Sequence, residues 1–125
     1  MQLEIHDSKL KKIIEDSDKL IKKIGLEMAK ILKRRMNEMK ASPNFKEYLD
    51  YGLGKPHPLS GDLDNLYGIN LTKNYRLIVE PLVEKLDNNS LKEWKIVNIK
   101  GVVEYHDGKK EWLIPWFNYT PRRNN

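Results

Sequence analysis

Tyr67-Gly68-Ile69-Asn70-Leu71-Thr72-Lys73-Asn74-Tyr75-Arg76-Leu77-Ile78-Val79 decides the fold. Tyr67, Ile69 and Leu71 alternate with Gly68, Asn70 and Thr72, so one face of an extended segment is apolar. Lys73-Asn74 then supplies turn chemistry, and Tyr75 to Val79 is rich in β-branched and aromatic residues. The stretch therefore predicts an antiparallel hairpin, and whatever covers its apolar face must come from elsewhere in the chain.

Downstream, Pro81 ends the second strand and Asp87-Asn88-Asn89-Ser90 predicts another turn. Trp94 to Glu104 predicts a long third strand with Gly101 as a bulge. Asp107-Gly108 turns the chain into a last strand, Glu111 to Phe117, interrupted by Pro115, and Thr120 to Asn125 is a basic, frayed end. Upstream, Gly52 to Asp62 holds three Gly and two Pro in eleven residues and predicts an ordered loop.

The cover comes from the N-terminal third. Gln2 to Ile5 alternates as a short strand, and Asp7 or Ser8 caps the first helix. Leu10, Ile13, Ile14, Leu20, Ile21 and Ile24 fall on one helical face, and Met28, Ala29, Leu32, Met36 and Met39 on a second, rotated face. Gly25 lies at the change of phase, which predicts helices over 8–24 and 26–41 forming a hairpin. A break at Asp16-Ser17-Asp18, with Ser17 or Asp18 as cap, is the alternative. Ser42-Pro43 suits the start of a short helix, 44–51, presenting Phe45, Tyr48 and Leu49 inward. The expected fold is α+β: a helical hairpin packed on a curled, mainly antiparallel sheet of four to five strands.

With 125 residues the chain is one domain, 1–125. No apolar run approaches the ~20 residues of a spanning helix, and the start lacks a secretory pattern, so the cytoplasm is the expected compartment. Cys is absent, which excludes disulfides, thiol catalysis and thiolate metal sites, and three His residues make a metal centre or other cofactor unexpected. Lys and Arg total 23 against 18 Asp and Glu. Residues 9–41 hold 11 basic and 5 acidic residues, +6 in one stretch, which favours a polyanionic partner or is simply a solvated helix face.

Arg76, on a strand face with Ile78 and Glu80, either pairs with Glu80 or Glu104 or offers a planar cation to a phosphate. His57 lies in the Gly- and Pro-rich loop and His106 at a strand end, where a scaffold displays groups suited to proton transfer near neutrality. His6, beside Asp7, reads as a strand-to-helix junction.

Taken in order, Pro56-His57-Pro58-Leu59-Ser60-Gly61-Asp62, Tyr75-Arg76-Leu77-Ile78 and Glu104-Tyr105-His106 resemble the HigB branch of the RelE-type bacterial toxins, the plasmid-maintenance killer proteins. In that family the segments read His-Pro-Leu-Lys-Gly-Asp, Trp- or Tyr-Arg-(Ile/Leu) and Asp-Tyr-His, and the resemblance spans Met1 to about Asp107. It implies a toxin of a type II toxin–antitoxin system, a metal-independent endoribonuclease that cleaves mRNA on the ribosome through attack of the 2′-hydroxyl on the adjacent phosphate. Residue by residue it implies catalytic roles for His57, Arg76, Glu104, Tyr105 and His106. The implied partners are ribosome, mRNA and a cognate antitoxin of helix-turn-helix type, with no membrane. RNA contacts are expected at Lys55, Lys73, Lys30, Lys33, Arg34 and Arg35. Ser60 stands where the family carries Lys, Glu104 where it carries Asp, and 108–125 is a C-terminal extension whose Trp112, Leu113, Ile114, Trp116 and Phe117 either seal the core or anchor the antitoxin. A ParE-like gyrase-binding toxin and a catalytically silent RNA- or protein-binding module are the alternatives.

Overall fold

The structure, a computed structural model, describes residues 1–82 and 94–114. Strand β1 (Gln2–Glu4) leads into three helices, α1 (Ser8–Glu15), α2 (Ser17–Ile24) and α3 (Leu26–Ala41). Both candidate breaks are therefore real. Asp7 caps α1 by accepting from the backbone N–H groups of Lys9 and Leu10, and Asp16, not Ser17 or Asp18, caps α2 by accepting from Lys19. The expected helix over 8–24 is two helices because Asp16 adopts extended angles to make that cap, which interrupts the ladder. Gly25 both ends α2, donating to the Ile21 carbonyl, and begins α3, accepting from Ala29. Its φ of 84° and ψ of 160° are open in practice to glycine alone.

Helix α4 (Phe45–Tyr51) starts one residue later than expected, because Asn44 takes the cap and the Phe45 N–H donates to the Trp94 carbonyl. The loop after it is more regular than its composition suggests: β2 (His57–Pro58) is a two-residue strand, and a 3-10 turn covers Gly61–Leu63. Strands β3 (Tyr67–Asn70), β4 (Tyr75–Pro81), β5 (Ile96–His106) and β6 (Lys109–Ile114) complete the sheet.

The sheet order is β1-β5-β4-β3-β2, antiparallel except for the parallel β1–β5 pair. Strand β5 also pairs with β6: β1 lies against Ile96–Asn98 and β6 against Val102–His106. Six strands among the described residues exceed the four to five expected, since the loop contributes β2 to the edge. The β4–β5 register slips between Ile78 and Val79, leaving Lys100 as the extra residue beside Gly101. A Cβ at Gly101 would collide with the Ile114 carbonyl and lie 2.9 Å from the Trp112 ring, so glycine is what lets β6 close against the bend. Asp107 and Gly108, both at positive φ, form the two-residue turn. The expected last strand, Glu111 to Phe117, starts earlier, at Lys109, and is followed to Ile114; Pro115, Trp116, Phe117 and the expected turn at Asp87–Ser90 lie outside the described residues.

One face of the sheet meets the helices. Leu10, Ile14, Leu20, Leu32, Met39, Phe45 and Tyr48 pack against Ile69, Leu77, Val79, Val97, Ile99, Val102 and Ile114. The other face carries a smaller cluster, Leu63, Leu66, Ile78 and Val103, edged by Leu59, Tyr105 and Trp112. The 59–66 segment is thus pinned by its own leucines, and a cleft opens beside it. Among the described residues no helix is long and apolar enough to cross a membrane.

Candidate functional site

Strand pleating sorts the side chains before any chemistry is considered. Arg76 pairs with Val103, and Val103 belongs to the cluster opposite the helices, so Arg76 stands on that face. Tyr105, two residues beyond Val103, joins it, and so does Lys110, which pairs with Tyr105. His57 pairs with Gly68, which pairs with Ile78, and reaches the same face from β2. These groups line one cleft of about 540 Å³ together with Pro58, Leu59, Ser60, Asp62 and Leu63.

The His57 ring rests against Gly68, where a Cβ would come within 3.3 Å of its Cε1 and Nε2 atoms. Its Nδ1 lies 2.9 Å from the Lys55 carbonyl. A carbonyl only accepts, so Nδ1 carries the hydrogen and Nε2 keeps the lone pair in the neutral ring. Lys55 itself sits at a positive φ of 49°, which turns that carbonyl toward the imidazole two residues on. The Arg76 Nη1 donates to the carbonyls of Tyr75 at 3.0 Å and Lys73 at 3.2 Å. The guanidinium is held by main chain, and neither Glu80 nor Glu104 forms the ion pair with it that the strand pattern allowed. The Tyr105 hydroxyl is pushed above the ordinary phenol range by burial first and then by the Asp62 carboxylate, against an opposing pull from Arg76. At neutral pH it is a hydrogen-bond donor.

Glu104 and His106 stand on the other face of β5. Tyr75, opposite Glu104, has its phenol proton retained chiefly by a hydrogen bond to that carboxylate. His106 Nε2 lies 3.9 Å from Glu104 Oε1 and 3.4 Å from Glu111 Oε1, and its Nδ1 lies 3.9 Å from Asp107 Oδ2. Glu104, His106 and Glu111 are the grouping among the described residues with the donor atoms and spacing to hold a cation, although the set is partly exposed and lies away from the cleft. The structure thus brings together His57, Arg76 and Tyr105 of the five expected catalytic residues and separates Glu104 and His106 from them.

The expected RNA-contacting cations also divide. Lys55 and Lys73 are exposed and flank the cleft through the carbonyls that hold His57 and Arg76. Lys30, Lys33 and Arg34 lie along α3, with Lys30 and Arg34 exposed and Lys33 also exposed. Arg35 is occupied within the fold, donating from Nε to the Asn70 carbonyl at 2.9 Å and pairing through Nη1 with Glu38 at 2.7 Å. Lys110 is a cleft residue that the sequence pattern did not single out, and Asp62 closes the Pro56–Asp62 motif without having been given a role there. The signal for Lys110 was present only in combination, as the position facing Tyr105 once the Asp107-Gly108 turn sets the register.

No protein-family model matches the chain, and none of the curated proteins matches it. Solved structures are similar in fold. The YoeB–YefM complex from Staphylococcus aureus has a chain that matches at a TM-score of 0.50 with 18% identity, covering 85% of this chain and 97% of that one. The YoeB/ParE toxin from Agrobacterium tumefaciens matches at 0.51 with 18% identity, covering 85% and 99%. The similarity is one of fold: N-terminal helices on a mixed, mainly antiparallel sheet.

Proposed function

We propose that this chain is the toxin of a type II toxin–antitoxin pair and an endoribonuclease that cleaves ribosome-bound mRNA without a metal, as the HigB resemblance implies. The observation that carries the proposal is the convergence of a histidine with a directed lone pair, a main-chain-braced arginine and a protonated tyrosine in one cleft. The similarity of fold to YoeB/ParE toxins supports it.

In this scheme His57 Nε2 takes the proton of the ribose 2′-hydroxyl, and the freed oxygen attacks the adjacent phosphorus. Arg76 faces the non-bridging oxygens and offsets the charge that develops on them, a role suited to a cation that is charged at every working pH. Tyr105 gives its phenol proton to the departing 5′-oxygen and is reprotonated from solvent, to which His57 releases the proton it took. Phosphorus loses its bond to that oxygen, leaving a 2′,3′-cyclic phosphate on one fragment and a 5′-hydroxyl on the other. The exposed Lys30, Lys33 and Arg34 on α3 form part of the docking surface for ribosomal RNA, with Lys55 and Lys73 flanking the message. A cognate antitoxin and a cytoplasmic site of action complete the proposal.

Primer extension on translated mRNA tests it. The wild type is expected to produce discrete cleavage sites, and His57→Ala and Arg76→Ala to reduce cleavage by about 100-fold or more. His106→Ala, on the far face of β5, is expected to retain cleavage within about tenfold of wild type. Absence of cleavage together with gyrase-dependent DNA breaks would assign the chain to the ParE-like alternative.

A further inference from the structure

We infer that Lys110 is a phosphate-binding residue of the cleft, contributed by the strand after the Asp107-Gly108 turn and held in place by Asp62; the inference deepens the nuclease proposal and rests on it. The β5–β6 register sets Lys110 beside Tyr105, so its side chain rises from the same face as Arg76. Its Nζ lies 2.9 Å from both carboxylate oxygens of Asp62, which belongs to the 3-10 turn on the opposite wall. The ammonium thus sits across the cleft at a fixed place, one of its three donors still available to a bound group.

A phosphodiester presents two non-bridging oxygens, and the phosphorane-like state carries more charge than the ground state. Arg76 has committed Nη1 to two carbonyls. Ser60, which lines the same cleft, is uncharged, and Lys55 and Lys73 do not line it. Lys110 is the second permanent cation among the lining residues, which makes it the group able to meet the oxygen that Arg76 does not. The ion pair with Asp62 is not needed to hold the loop. Leu63 and Leu66 are buried in the second cluster, and the Leu59 N–H donates to the Leu66 carbonyl at 2.9 Å. A partly exposed pair of this kind contributes little to stability. Asp62 therefore neutralises the ammonium of the free cleft without being required for phosphate binding, and its own negative charge opposes an incoming phosphate.

The test uses two measurements on the full chain. The first is binding of a 2′-O-methyl oligoribonucleotide, which cannot be cleaved, monitored by fluorescence anisotropy over a range of salt. The second is mRNA cleavage on ribosomes. Lys110→Ala is expected to weaken oligonucleotide binding about tenfold and to reduce the salt slope by ~0.7, one phosphate contact on a single strand. It should also lower cleavage, while Lys110→Arg restores binding. Asp62→Asn breaks the same ion pair and keeps the ammonium, so it should bind as well as wild type or more tightly. Equal losses for Lys110→Ala and Asp62→Asn would mean the pair only braces the loop, and would overturn the inference. Unchanged binding and cleavage in Lys110→Ala would also overturn it while leaving an active wild type as a nuclease. Lys110-dependent binding without wild-type cleavage would uphold the phosphate site and remove the nuclease proposal instead.

Discussion

Gly68 lies beneath the His57 imidazole, and its lack of a side chain is what sets the ring's height above the sheet. An added Cβ would come within 3.3 Å of His57 Cε1 and Nε2 and of Leu59 Cδ2. Gly68 has no positive φ, so alanine fits the strand backbone without strain, and the exposed imidazole is the group that yields. Gly68→Ala is expected to lower cleavage by about tenfold, because small displacements of a proton acceptor are costly, while the melting temperature stays within a few degrees of wild type. Cleavage assays paired with calorimetry check this; a large fall in stability would mean the contact is part of the core. Gly68 was legible only as one polar-side position in an alternating strand, since nothing local says which imidazole will lie over it.

At the scale of elements, the break at Gly25 and the strand β6 carry separate consequences. Gly25 closes α2 and opens α3 with one backbone conformation that a Cβ disfavours, even though no atom lies within 4 Å of where that Cβ would be. Gly25→Ala is therefore expected to cost about 1–3 kcal/mol from backbone strain alone, measured by denaturant titration with an unchanged slope. Strand β6 answers half of the question posed by the 108–125 extension. Ile114 is fully buried in the main core and Trp112 edges the second cluster, so this part of the extension is structural. Truncation after Asp107 should remove the partner of Val102–His106 and unfold the chain, which circular dichroism would show directly. The break at Asp16 was legible as an alternative because an Asp-Ser-Asp run is cap chemistry; both breaks are used because α1 and α2 each need a cap of their own.

For the molecule as a whole, alkaline pH acts on this core through a buried tyrosine. Tyr48 is fully buried, donates its hydroxyl to the Leu53 carbonyl at 3.2 Å, and has its pKa raised by burial first and the Glu38 carboxylate second. The folded state keeps a proton that the unfolded chain releases near pH 10, so this stabilisation is complete below that pH and declines as pH rises through the folded value. For Tyr48 the expected decline is about 1.4 kcal/mol per pH unit. Tyr48→Phe should lose about 1 kcal/mol at pH 7 with the hydrogen bond, yet show a pH dependence above 10 that is shallower by one proton, in urea titrations at a series of pH values.

Periodicity in the sequence alone determined the main classes of element and their order, though not β2 or the split of the first helix: alternating strands, two apolar helical stripes with a change of phase at Gly25, and a hairpin at Lys73-Asn74. These are local quantities, fixed by how side chains repeat along a helix or strand. Tertiary structure decided what depends on register. The pairing of β5 with β4 and β6 places Arg76, Tyr105 and Lys110 on one face and Glu104, His106 and Glu111 on the other, though Glu104, Tyr105 and His106 are adjacent in the chain. Consecutive strand residues point to opposite sides of a sheet, so a motif of three neighbours cannot by itself be one site, and only the folded sheet shows which residues meet.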